Sequence, residues 1–278
     1  MITRIVLITL LAAGLAACAG ESGSSNGTSV VAGFYPLAFA AEEIGGDGVE
    51  VTNLTPAGAE PHDLELTPRE VEEILDADLV FYVGEGFQPA VEEAAAESNG
   101  ETIDVLEGLE LRDGDPHVWL DPVLFGEVAE RIGVALGDEI SPRRLHTRLN
   151  DLDDAYRVGL ADCERHELVT THDAFGYLAD RYGLEVIPIA GLSPEAEPSP
   201  QDLEAVVDLV EARGVTTVFT ETLLSPEVGE TVAREAGAMT AVLNPLEGLA
   251  EDELARGEDY FSVMEANLEA LRQGLGCR

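Results

Sequence analysis

Short apolar runs alternate with longer stretches in which apolar residues recur at three- and four-residue steps, and the two rhythms predict strands and helices in turn. Val30 to Tyr35 reads as a strand, and Pro36 to Ile44 as a helix stopped by Gly45-Gly46-Asp47-Gly48. Val49 to Leu54 reads as a second strand. Thr67-Pro68-Arg69-Glu70 then supplies a cap, an N-terminal proline and an early acid for a helix to Asp76. Strand Leu79 to Val83, helix Pro89 to Glu97 and strand Thr102 to Leu106 follow, and Pro122 to Leu136 reads as a further helix. Strands separated by helices are the signature of a parallel sheet wrapped by helices.

From Pro142 to Asp162, Leu145, Leu149, Leu152, Tyr156 and Leu160 mark one long amphipathic helix at the midpoint. The order then repeats, with strands Leu168 to Thr171, Glu185 to Ile189, Val215 to Thr220 and Thr240 to Leu243. Helices Ala174 to Tyr182, Gln201 to Arg213, Pro226 to Ala236 and about Tyr260 to Leu275 lie between and after them. The fold class expected is α/β: two similar lobes, each a parallel sheet wrapped by helices, joined by one long rigid helix. Ala190 to Pro200 has no periodicity and reads as a loop at the mouth of the cleft.

The N-terminus changes the picture. Arg4, the apolar run Ile5 to Leu15 and a small-residue ending at Ala17 read as a secretory signal too short to span a membrane. Leu15-Ala16-Ala17-Cys18 resembles a bacterial lipobox, which implies cleavage before Cys18 and a two-chain lipid anchor on its thiol. The expected division is 1–17 signal peptide, 18–28 lipidated cysteine and flexible spacer, 29–140 first lobe, 141–163 linking helix and 164–278 second lobe. The protein is then expected on the outer face of the cytoplasmic membrane, touching the bilayer through its anchor alone. In that oxidising setting, the remaining Cys163 and Cys277 are expected to form a disulfide.

The formal charge is −40 and all fifteen basic residues are arginine, which disfavours nucleic acid and acidic lipid as partners. Cations are the natural partners, although so large an excess mainly describes a solvated acidic surface suited to salty surroundings. Four side chains stand at or shortly after strand ends, where ligands bind in open parallel sheets: His62, His117, His172 and Glu247. Two come from each half, so a site between the lobes follows, and three imidazoles with one carboxylate suit Zn²⁺. His146 and His166 lie among charged neighbours and are set aside. Asp63 and Asp173, each directly after a candidate histidine, are candidates to accept from imidazole N–H groups. Turn-capping explains them equally well.

Gly58-Ala59-Glu60-Pro61-His62-Asp63, Asp115-Pro116-His117-Val118-Trp119-Leu120-Asp121-Pro122, Thr171-His172-Asp173-Ala174-Phe175-Gly176-Tyr177 and Leu243-Asn244-Pro245-Leu246-Glu247-Gly248-Leu249 resemble the metal-binding segments of the zinc/manganese substrate-binding proteins of ABC transporters. The resemblance implies a monomeric lipoprotein that captures a divalent metal and passes it to a permease driven by an ATPase. It implies His62, His117, His172 and Glu247 as ligands, and His172 at the third position points to Zn²⁺, with Mn²⁺ as the alternative. Many zinc members carry a histidine-rich loop before the second ligand, whereas Glu107 to Pro116 is short and has no histidine.

A binding protein without catalysis is expected, because the protein fills all four metal positions. The competing class is a secreted metallohydrolase with Glu247 as general base and water as fourth ligand, but the sequence has no His-Glu-x-x-His pair to favour it. A third reading is an organic-solute binder on the same scaffold. For the fourth metal ligand, Glu221, at the end of a strand, and water compete with Glu247. Glu247 is chosen because its Asn244-Pro245-Leu246-Glu247 turn resembles zinc members that use glutamate there. Glu221 is expected instead as an acid of the cleft wall, a candidate with Asp63 and Asp173 to stand behind a ligand.

Overall fold

In a computed structural model, residues 27–278 are described apart from 139 and 195–197, so the expected signal peptide and Cys18 lie outside the described residues. The first half builds β1 (Thr28–Ala32), α1 (Tyr35–Gly45), β2 (Val49–Asn53), α2 (Pro68–Asp76), β3 (Leu79–Tyr82), α3 (Pro89–Ala95) and β4 (Glu101–Asp104). These strands form a parallel sheet in the order β2-β1-β3-β4. Two helices follow, α4 (Pro122–Ala135) and α5 (Ser141–Gly159). The second half builds β5 (Glu167–Thr170), α6 (Gly176–Tyr182), β6 (Glu185–Pro188), α7 (Pro200–Arg213), β7 (Thr217–Thr220), α8 (Glu227–Ala236) and β8 (Met239–Val242), with the parallel order β6-β5-β7-β8. The same strand order recurs, so the two sheets are built alike. Two helices close the chain, α9 (Glu251–Ala255) and α10 (Tyr260–Leu275).

Local chemistry sets the element boundaries. Thr67 accepts from the Glu70 amide while the Glu70 side chain returns to the Thr67 amide, a reciprocal cap with Pro68 in the first turn. Ser199 and Asp202 cap α7 in the same way, and Asp121 accepts from the Val123 amide at the head of α4. Glycines Gly183, Gly214, Gly237 and Gly276 end their helices in the left-handed conformation that side chains with a Cβ disfavour. Central strands β1 and β7 are apolar and buried, as sheets covered on both faces require. Periodicity did not foresee the short α9. Nor did it foresee that Val118–Leu120, directly after His117, forms a buried single turn of 3₁₀-helix. Asp121 caps α4 directly behind this turn, so the segment has no length or free edge with which to join a sheet.

One hydrophobic core runs through both halves. Phe34, Trp119 and Phe125 from the first half meet Phe175, Leu243, Leu246 and Tyr260 from the second, while each sheet's outer face has a smaller core of its own. Helix α10 carries Tyr260 onto the first half, stacking it against Phe125 at 4.6 Å and Phe39 at 5.7 Å between ring centroids. The Tyr156 hydroxyl on α5 donates to the Met264 carbonyl at 2.6 Å. The halves are therefore joined by the midpoint helix and again by the last helix. Burying aromatic side chains of this size stabilises by roughly 2–3 kcal/mol each, so the seam resists opening.

Cys163, before β5, and Cys277, behind α10, form a disulfide across 114 residues of sequence. Closing a loop of that length is worth about 4–5 kcal/mol in the chain-entropy treatment. A Cys163→Ala, Cys277→Ala variant is expected to melt well below the parent and to lose its sensitivity to reductant, both measured by thermal unfolding with and without dithiothreitol. Identical midpoints would show that the bridge does not stabilise the fold.

Candidate metal centre

The centre is assembled from four loops, each launched from the end of a strand or a short turn. His172 stands just past β5, and Glu247 follows β8 after one tight turn. His62 comes from the β2–α2 connection, and His117 precedes the 3₁₀ turn that leads into α4. Their ligand-competent atoms lie within 4.8 Å of one another. Glu247 Oε1 is 3.3 Å from His62 Nε2, 3.1 Å from His117 Nε2 and 3.2 Å from His172 Nε2. Three nitrogens from three loops thus converge on one oxygen.

Burial gives this convergence its meaning. His117 and His172 are fully buried, the Glu247 carboxylate has no exposed surface, and the His62 side chain alone keeps 9%. A buried carboxylate costs several kcal/mol unless paired, and the paired charges here must come from imidazolium protons or from a metal cation. Glu247 Oε2 is also buried with no hydrogen-bond partner among the described residues, so a second carboxylate oxygen is available to a cation. Three neutral imidazole nitrogens and a carboxylate are the donor set of a closed four-coordinate zinc site.

A carboxylate stands behind each of two imidazoles. His117 Nδ1 lies 2.7 Å from Asp115 Oδ1, which also accepts from the His117 amide at 2.9 Å. His172 Nδ1 lies 2.8 Å from Glu221 Oε1, off the line of a good N–H···O bond. Glu221 Oε1 also accepts from the His172 amide at 3.2 Å and from the Thr171 hydroxyl. The Asp115 bond holds the Nδ1–H tautomer of His117, the Glu221 carboxylate favours the same tautomer of His172, and both rings thereby turn Nε2 toward Glu247. Glu221 therefore reaches His172 from behind and has no contact with the other three candidate ligands among the described hydrogen bonds and ion pairs.

The expected roles of Asp63 and Asp173 are corrected. Neither hydrogen-bonds to an imidazole among the described residues. The amide of Asp173 instead donates to the Gly191 carbonyl in the loop that sequence places at the cleft mouth. Asp115 takes the role assigned to them, and the signal was a proline one residue before the histidine, which turns the acid back onto the ring. Sequence reasoning also passed over Glu60, whose Oε1 accepts from the His62 amide at 3.2 Å. Burial, then the charge of Glu247, pushes the Glu60 carboxyl up to about 8. Phe87 was missed as well. It packs edge-on against His62 at 4.5 Å and against Trp119 at 5.4 Å, walling the imidazoles from water. Trp119 packs in the core, and its Nε1 donates to the Pro245 carbonyl at 2.8 Å. His146 sits half-buried near Glu130 and His166 is exposed, both away from the centre.

The chain matches the family described as "zinc-uptake complex component A periplasmic" over residues 30–274. It belongs to that family. It is 34% identical to the high-affinity zinc uptake system protein ZnuA of Bacillus subtilis, over 94% of this chain and 93% of that protein. The zinc-binding lipoprotein AdcA of Streptococcus pneumoniae is also 34% identical, but the chain spans only 60% of its length. The crystal structure of the Zn(II)-bound ZnuA-like domain of that AdcA superposes with a TM-score of 0.77 at 36% identity, covering 90% of this chain and 99% of the domain. The laminin-binding protein Lmb of Streptococcus agalactiae, described as bifunctional with adhesin and metal-transporting activity, gives a TM-score of 0.82 at 31% identity over 90% of this chain and all of that one. The two-lobed α/β expectation and the likeness to metal-binding members thus agree with solved relatives.

Two measurements test this geometry. Asp115→Asn and Glu221→Gln leave all four candidate ligands in place but loosen two of them, so each is expected to weaken zinc binding about 10–100-fold in a competition titration. Parent-like affinity in both would show that the imidazoles need no support from behind.

The second concerns pH. Burial disfavours the charged form of His117 and His172. For His117 the hydrogen bonds it donates to Asp115 and Glu247 outweigh it, and for His172 the Glu247 charge does, so both pKa values rise above the ordinary 6.5. Burial likewise opposes ionisation of Glu247, yet the histidines hold it well below the usual 4.5. Stability from the raised histidines is complete below about pH 6.5 and is lost as pH rises through their folded values. Stability from Glu247 is present above pH 4.5 and is lost only as pH falls through its lowered value. Zinc must displace the histidine protons, so the rise in melting temperature that zinc causes is expected to be small near pH 6 and to grow through pH 8. A zinc-induced shift that stays constant across that window, followed by calorimetry, would count against both histidines as ligands.

Proposed function

We propose that this protein is an extracytoplasmic zinc-binding protein that captures Zn²⁺ through His62, His117, His172 and Glu247 and delivers it to an ABC permease and its ATPase. The single observation that carries the reading is the convergence of three Nε2 atoms on one fully buried carboxylate oxygen. Relatives named for zinc uptake and zinc binding, one of them solved with Zn(II), support the same cargo. Lipidation at Cys18 and an anchor on the outer face of the cytoplasmic membrane belong to this proposal, supported by the Leu-Ala-Ala-Cys ending and by the relative described as a lipoprotein. No helix among the described residues is long and apolar enough to cross a membrane. We propose a monomer that binds no nucleic acid and has no catalytic role, because four protein donors leave no position for an attacking water.

The preference for zinc over manganese rests on donor type. Manganese favours more, and harder, oxygen ligands, whereas three imidazoles with one carboxylate suit zinc. Purified protein is expected to carry zinc in metal analysis. Added zinc at about 1,000 times its dissociation constant should stabilise the fold by about 4 kcal/mol, and manganese at the same concentration far less. Equal shifts in melting temperature for the two metals would overturn the zinc assignment. In parallel titrations, loss of zinc binding in Glu221→Gln but not in Glu247→Gln would reverse the roles of the two glutamates.

A further inference from the structure

Glu247 arrives at the site on a turn that cannot hold itself. Leu246, directly before it, has φ of +57°, the left-handed region that a branched aliphatic residue disfavours by roughly 1–2 kcal/mol. Leu246 is nonetheless fully buried in the core between the lobes. The conformation sends the Leu246 side chain into that core while Glu247 faces the histidines. Something outside the turn must therefore hold it.

Three elements do so. The Asn244 side chain accepts from the Leu246 amide at 2.8 Å, and its Nδ2 reaches Glu253 Oε1 on α9 at 3.3 Å. Trp119 grips the Pro245 carbonyl from the other lobe. The strongest hold comes from α10, where Asn267 Oδ1 accepts from the Asn244 amide at 2.8 Å and Asn267 Nδ2 donates to the Asn244 carbonyl at 2.7 Å. Both backbone groups of Asn244 are thus closed by one side chain, as a neighbouring strand would close them. Asn267 is 3% exposed on a helix face otherwise made of Tyr260, Val263, Met264 and Leu271. A polar residue inside an apolar stripe costs stability unless its bonds are made.

We infer that Asn267 is a positioning residue for the metal centre: through the backbone of Asn244 it fixes the turn that delivers Glu247 to the three histidines. This rests on the zinc-binding reading above. Without the amide clamp, Leu246 is free to leave its disfavoured conformation, and Glu247 moves from a site whose donors must be held within about 0.5 Å. The effect is on one ligand of four, because among the described residues no hydrogen bond from Asn267 reaches a loop that carries a candidate histidine.

The test is a double-mutant cycle on zinc affinity, read by chelator competition in the full chain with Asn267→Leu, Glu247→Gln and both together. Asn267→Leu alone is expected to weaken zinc binding at least 10-fold and, in the Glu247→Gln background, to cost almost nothing further. Co²⁺ bound to Asn267→Leu should show the weaker visible absorption of a site that has left four-coordination, a signature that lost stability by itself does not produce. Asn267→Asp, which keeps the acceptor for the Asn244 amide and loses the donor, serves if the leucine variant does not fold and should fall in the same direction. An equal loss in both backgrounds, or parent-like affinity in the variant that folds, overturns the positioning role. If the parent itself fails to bind zinc, it is the zinc reading that falls.

Discussion

A carboxylate with no exposed surface, met by three imidazole nitrogens from separate loops, is the constraint around which this protein is arranged. Burying one charge is expensive, and removing its partners would cost on the order of 3–5 kcal/mol. A chain retains such an arrangement when a cation is to be held there. The same low dielectric that makes the empty pairing costly makes a bound divalent ion's attraction strong. Affinity and the price of burial therefore have one origin.

The rest of the molecule keeps those four donors from drifting. Each lobe supplies a rigid parallel sheet that fixes where its loops begin. The seam between lobes is then closed by the Phe34, Trp119 and Tyr260 cluster and by α10, which leaves the second sheet to pack on the first half. Trp119 serves both purposes, since its ring fills the seam, its Nε1 holds the turn before Glu247 and its carbonyl accepts from Tyr260 at 2.6 Å. Packing and site geometry are coupled through single side chains. A site shared between two lobes joined this tightly favours small adjustments of loops over wide opening.

Electrostatics acts on two scales. At the centre, carboxylates behind the imidazoles orient the rings. Over the surface, a net charge of −40 attracts cations without selecting among them. Selection, on the proposed reading, comes from the donor set, because three imidazole nitrogens discriminate among cations where surface charge does not. The loop from Glu107 to Pro116 has no histidine to collect metal. It is instead tied across the cleft, with the Arg112 amide donating to the Tyr177 hydroxyl at 2.9 Å and that hydroxyl donating to the Asp115 carbonyl at 2.9 Å. This strap steadies the residue that holds His117.

Sequence by itself determined most of the elements and their order, because strand and helix periods, proline and glycine stops and capping side chains act within a few residues. It also determined which four side chains meet, since ligands sit beyond strand ends and the segments around them resemble known metal-binding ones. The turn after His117 was not legible in this way, because a buried 3₁₀ turn and a buried strand show the same unbroken apolar pattern. Tertiary structure decided which acids stand behind the four side chains, taking Glu221 from the candidates the sequence offered and adding Asp115. Asp63 and Asp173 are adjacent to histidines in sequence, yet Asp115 and Glu221 are adjacent in space, and a ring's far nitrogen is reached through folded loops and not along the chain. The placement of Asn267 against Asn244 is of the same kind. Its one trace in the sequence is an amide in an apolar helical stripe, and its partner becomes visible only when α10 lies beside the turn that carries Glu247.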